Sequence, residues 1–145
     1  MDANSLAGKI PASVQELFLA AREAREFAYS PYSRIKVGAA VRARGGRIYT
    51  GANIENSSYG ATICAERVAI HNAVSRGDRE ICEVLVLTDA APPWPPCGLC
   101  RQVIAEFGAH ATIHMANLAG EIRAVELEEI FPQAFTPDRL PLAGT

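Results

Sequence analysis

Four consecutive apolar residues, Val84-Leu85-Val86-Leu87, constrain the fold more than any other stretch, because a strand apolar at every position must be covered on both faces. Such a strand is central to its sheet, so the flanking helical patterns have to supply a layer above it and a layer below. Helical spacing of Val14, Leu17, Phe18, Ala21 and Ala24, behind a capping box of Ser13 and Glu16, predicts a first helix to about Tyr29, stopped by Pro31. Residues 37–43 and 47–53 read as an antiparallel pair joined through Arg44-Gly45-Gly46. A second helix carries Ala65, Val68, Ala69, Ala73 and Val74 and ends at Gly77; a third carries Val103, Ile104 and Phe107 and closes at Gly108. Residues 111–115 and 121–125 add strands, and residues 125–131 a short helix. The expected architecture is α/β, a three-layer α/β/α sandwich around one mixed sheet of about five strands. It forms a single domain over residues 1–145, with flexible tails expected at 1–11 and 137–145.

Charge narrows the function. With 14 basic and 16 acidic residues and a net charge of −2, no basic face stands out for a nucleic acid, and a small substrate fits better. No stretch of about 18 apolar residues offers a membrane span, and the N-terminus shows no basic segment followed by an apolar run. A soluble, cytoplasmic protein is expected, in which four cysteines serve as thiols, metal ligands or core residues rather than disulfides.

Their spacing points to a metal. Cys97 and Cys100 are one helical turn apart, so their sulfurs can converge on one ion. Cys64 and Glu66 are two apart, which in mid-helix sends side chains to nearly opposite faces, at about 100° per residue. Cys64 is therefore expected at a helix edge, where exposed amides favour a thiolate. Three thiolates on Zn²⁺ leave a net negative centre, and Arg67, three residues after Cys64, lies on the side from which its donors can offset that charge. Glu66, beside the metal without being needed as a ligand, fits a general acid/base. A Cys ligand, Glu two residues on, then Pro-Cys-x-x-Cys is the pattern of zinc deaminases, in which water activated by the metal attacks an amino-bearing ring carbon.

Longer runs carry a closer likeness. NIENSSYGATICAER from Asn53 to Arg67, PCGLCRQ from Pro96 to Gln102, PYSRIKVGAA from Pro31 to Ala40 and FPQAF from Phe131 to Phe135 resemble the cytidine deaminase family in order and spacing. The resemblance implies the small, homotetrameric, zinc-dependent type with one Zn²⁺ per chain, converting cytidine and deoxycytidine to uridine and deoxyuridine in pyrimidine salvage. It also implies roles: Cys64, Cys97 and Cys100 hold zinc, Glu66 moves protons to N3 and the leaving amine, and Arg67 hydrogen-bonds cysteine sulfur. Asn53 and Glu55 bind the ribose 3′-hydroxyl, while Ile35, Val37 and Ala65 join them in substrate binding. Tyr59, Ala61 and Phe135 act across subunit interfaces. A carboxylate at Glu55 suits sugar hydroxyls and repels phosphate, favouring nucleosides over nucleotides. The family usually has Phe where this chain has Ile35, so an apolar wall is kept without its ring.

Other readings stay open at this level. Cys82 can serve as the fourth ligand of a structural, non-catalytic zinc site, or be a buried small residue. The Cys97–Cys100 pair alone fits a redox motif, Glu66 with Arg67 a surface ion pair, and Asn53 with Glu55 a polar turn. A deaminase of a cytosine nucleoside analogue, of the blasticidin S type, shares the cysteine motifs. His71 lies roughly 10 Å along the helix from Cys64, too far to share an ion. His110 and His114 read as structural, and Trp94 as either a cavity wall or loop packing.

Overall fold

The computed structural model describes residues 9–141. Its helices are α1 (Gln15–Arg25), α2 (Ala65–Ser75), α3 (Gly98–Phe107) and α4 (Leu127–Ile130); its strands are β1 (Gly38–Ala43), β2 (Ile48–Ala52), β3 (Ile81–Thr88), β4 (Thr112–Asn117) and β5 (Ile122–Glu126). The sheet order is β2-β1-β3-β4-β5, antiparallel at every pairing except β3 with β4. Expected strand number and mixed pairing are therefore both present, and β3 is the middle strand.

Alternation along β3 builds the layers. Val84 and Val86 face one side, beside Ala39 and Val41 of β1 and Ile113 and Met115 of β4, and pack on Ala69 and Ile70 of α2 and Ile104 of α3. Leu85 and Leu87 face the other side with Ala40 and Ala116, and pack on Leu17, Phe18 and Ala21 of α1. All four residues of the apolar run are at most 3 % exposed. The result is α1, sheet, then α2 with α3: the expected three layers.

Glycines at two strand positions, Gly38 against α1 and Gly51 against α2, let helices lie this close. A Cβ on Gly51 of β2 would stand 2.5 Å from the Ala65 carbonyl oxygen and 2.5 Å from the Ala69 nitrogen, both backbone atoms of α2. Gly51→Ala should therefore push α2 off the sheet and lower stability by about 1–3 kcal/mol. Gly60→Ala, where nothing lies within 4 Å, serves as the near-neutral control in the same thermal denaturation. At the hairpin between β1 and β2, Gly46 takes φ +92°, a conformation that L side chains rarely adopt.

Several local expectations are corrected. Helix α1 ends at Arg25 rather than near Tyr29, because the backbone of Tyr29 is drawn into pairing with the next layer. Its N–H donates to Asn53 O at 3.0 Å, and its carbonyl accepts from Glu55 N at 2.8 Å. The capping box of Ser13 with Glu16 does not form: Val14 caps α1 with no side-chain bond, and Glu16 pairs with Arg42 at 3.2 Å. A capping box does occur at Glu126 and Glu129, opening α4. Ile10, assigned to a patternless tail, is 4 % exposed and joins the α1 core, while Pro137–Arg139 forms a 3-10 turn. The remaining tail expectations, for residues 1–8 and 142–145, lie outside the described residues.

Candidate active site

Two helix starts meet over the sheet. Cys64 is the N-cap of α2, with extended backbone at φ −75° and ψ 154°, and Cys97 is the N-cap of α3, at φ −67° and ψ 170°. Each N-cap places its side chain beside the third residue of its helix, which is Arg67 in α2 and Cys100 in α3. The helix-edge position required of Cys64 is thus met, and Cys97 caps its own helix in the same way.

The sulfurs of Cys64, Cys97 and Cys100 all lie within 4.8 Å of one another, and those of Cys64 and Cys97 are 3.8 Å apart. Tetrahedral thiolate ligands at about 2.3 Å from zinc stand roughly 3.8 Å apart, so the trio matches the ion in donor type and in spacing. The cluster can hold one Zn²⁺ per chain. Arg67 Nη2 reaches Cys64 Sγ at 3.8 Å and the Thr62 carbonyl at 3.4 Å, while its buried Nε has no hydrogen-bond partner. A guanidinium in that place is held by negative charge on sulfur. Hydrogen bonding from Cys100, then from Arg67 and Cys97, brings the Cys64 thiol down to about 5 against the opposing effect of burial. The same contact with Cys64, with burial adding to it, pushes Cys100 up.

Glu66 is 4 % exposed, and burial pushes its carboxyl up to about 7, with the neighbouring Cys64 adding to the effect. It lines a cavity of about 320 Å³ together with Cys64 and Cys97. The default surface ion pair of Glu66 with Arg67 is therefore absent: Glu66 is sealed into the cavity wall and Arg67 turns to sulfur.

The cavity also collects Ile35, Val37, Asn53 and Glu55. Asn53 laces the wall together, since Nδ2 donates to Ile35 O and Oδ1 accepts from Val37 N, both at 2.8 Å. Glu55 accepts from Ser33 N at 3.1 Å and from Ser33 Oγ at 3.0 Å. A carboxylate and an amide, each 9 % exposed, are thereby fixed at the cavity edge with unused hydrogen-bonding capacity.

Other expected residues fall elsewhere. Ala65 is fully buried between Cys64 and Glu66, outside the cavity lining. Tyr59 and Ala61 lie in a 3-10 turn and Phe135 near the C-terminus; none lines this cavity, and Tyr59 and Phe135 are 75 % and 57 % exposed. Cys82 is exposed, correcting its reading as a buried residue, and among the described residues it is not part of the metal cluster. It stands at the opposite end of β3 from Val86 and Thr88, which line the cavity. Cys82→Ser should leave zinc content and turnover at wild-type levels; a loss of metal on elemental analysis would restore the four-cysteine site. His71 and His110 are exposed, and His114 is tied to Glu83 at 3.1 Å, a structural contact.

Sequence reasoning did not single out Ser33, Thr62, Ile63, Val86, Thr88 or Pro95 as cavity residues. For Val86 and Thr88 a signal existed, since ligands in α/β sheets collect beyond the carboxyl ends of strands. Trp94, left between wall and loop packing, lines the cavity.

Comparison with known proteins decides the family. The cytidine and deoxycytidylate deaminase zinc-binding region matches residues 11–116. This chain belongs to that family. A cytidine deaminase of Halalkalibacterium halodurans is 47 % identical over 86 % of this chain and 95 % of its own length. One from Sporosarcina psychrophila is 45 % identical over 90 % of this chain and 97 % of its own. In three dimensions the chain resembles the cytidine deaminase of Burkholderia pseudomallei, with a TM-score of 0.80 and 40 % identity, covering 83 % of this chain and 97 % of that one. The deaminase family frame thus accounts for both the sandwich fold and the three-cysteine cluster. Among the described residues, no helix is long and apolar enough to cross a membrane.

Proposed function

We propose that this protein hydrolyses the 4-amino group of cytidine and deoxycytidine, giving uridine or deoxyuridine and ammonia. The observation that carries the reading is a cluster of three convergent thiols, two of which, Cys64 and Cys97, line the same cavity as a sealed carboxyl, Glu66. Cys64, Cys97 and Cys100 would hold zinc, which when bound supplies Lewis-acid activation of water. Glu66, poised by burial near neutrality, takes one proton from the attacking water and gives it to N3 as the C4–O bond forms, then takes the second from the new C4 hydroxyl and gives it to the amine as the C4–N bond breaks and ammonia leaves. Arg67 balances the charge of the thiolates. Glu55 and Asn53 offer their remaining capacity to ribose hydroxyls, and Glu55 disfavours a phosphate.

The exposed Tyr59 and Phe135, apolar side chains outside the cavity of their own chain, support a homotetramer in which neighbouring subunits complete each site. The protein acts in the cytoplasm, in pyrimidine salvage, with no nucleic-acid or membrane partner. An ultraviolet assay with cytidine, deoxycytidine, cytosine, CMP and blasticidin S tests the reading. Turnover of the two nucleosides with little on CMP is expected. Turnover of blasticidin S alone would reassign the substrate, and no turnover with zinc loaded would overturn the enzyme. Light scattering of the purified protein checks the tetramer.

A further inference from the structure

We infer that Trp94 is a base-stacking residue that sets nucleoside affinity; the inference rests on the nucleoside deaminase reading. Among the described residues lining the cavity, Trp94 carries the only aromatic ring. The apolar wall from residues 35–37 offers Ile35 and Val37, which can cover a planar base but not stack on it. A flat ring system entering this cavity therefore finds one aromatic side chain within the chain.

The loop that carries the indole is held in place. Trp94 sits in Pro92-Pro93-Trp94-Pro95-Pro96, where four prolines fix the backbone. Before it, Asp89 is gripped by Arg25 Nη2 at 3.3 Å, and the Ala90 carbonyl accepts from Asn117 Nδ2 at 3.1 Å. After it, the Pro96 carbonyl accepts from Arg101 Nε at 2.8 Å. Arg25 and Asn117 are 8 % and 1 % exposed, so these anchors are built into the body of the fold. Arg25 Nε also donates to Lys36 O at 3.0 Å, which ties the indole's loop and the Ile35–Val37 wall to one side chain. Trp94 lines the cavity and is still 46 % exposed. A residue serving only to pack its loop would turn that surface inward. A ring carried on a fixed loop loses less freedom when a base settles on it than one on a mobile loop.

Because a base loses an aromatic stacking partner, Trp94→Ala and Trp94→Leu should raise the KM for cytidine about 10-fold. The kcat should stay within about 3-fold, because the indole takes no part in proton transfer. Trp94→Phe should recover most of the affinity, and zinc content should be unchanged in all three variants. Trp94 is also the only tryptophan of the chain. Wild-type tryptophan emission should therefore change saturably with uridine and stay constant with free ribose. A wild-type KM in Trp94→Leu, or an emission that ignores both uridine and cytidine, would overturn the assignment. Absence of cytidine turnover in the wild type would sink the deaminase reading instead, and the emission titration, which needs no catalysis, would still decide the stacking.

Discussion

Glu66→Gln should bind zinc at the wild-type level of about one per chain and deaminate cytidine at least 10²–10⁴-fold more slowly, the range that a positioned acid/base contributes. The amide keeps the volume of the carboxyl in a site that is 4 % exposed, so the cavity and its thiols stay in place. What it loses is the ability to accept a proton from one atom and deliver it to another. Removing a carboxyl that burial has raised to about 7 also removes an unfavourable burial of charge, so the melting temperature should hold or rise. Elemental analysis, ammonia release and thermal denaturation on one preparation separate these effects. Undiminished ammonia release would remove Glu66 from the mechanism, and loss of zinc would make it a ligand.

The second large effect is at Cys100. This residue is fully buried and sits at the third position of α3, with Cys97 capping the same helix and Cys64 capping its neighbour. Cys100→Ser should abolish stable zinc binding, since a buried hydroxyl is a poor ligand where a thiolate is required, and activity should fall with the metal. Arg67 would then face fewer sulfurs with its buried Nε already unpartnered, which leaves a cation in the wall with less to balance it. The chain should nevertheless keep its far-ultraviolet circular dichroism, because both apolar cores form without the cluster. Retained zinc at one per chain would overturn the three-thiol centre.

How far the sequence carried these conclusions depends on whether the determining contacts are local. The run Val84-Leu85-Val86-Leu87 placed the central strand and both covering layers, because burial on two faces is written into consecutive residues. Cys64 and Glu66 gave the helix edge, because helix geometry forbids their sharing a face in any other way. Contacts between distant segments were illegible. Nothing in Ser13 and Glu16 announces that Glu16 will turn to Arg42, or that Tyr29 will leave α1 to pair with Asn53 and Glu55. Cys82 looked like a core residue because it adjoins an apolar strand, yet it takes the second position of β3 and is exposed there, next to the buried Ile81. Ser33 gave no signal at all, as its role consists of holding Glu55, twenty-two residues away.

The paired N-caps have a kinetic consequence. Cys64 and Cys97 cap helices that pack on one face of the sheet through an apolar core containing none of the three cysteines, so the packing that gathers the thiols does not depend on the ion. In a classical zinc finger the chain must fold around its ion, and binding energy is spent on ordering. Here the socket is expected to form without the ion. Loading and loss should run at the speed of ligand exchange rather than of folding, and a metal-stripped enzyme should regain activity on adding zinc without passing through the unfolded state.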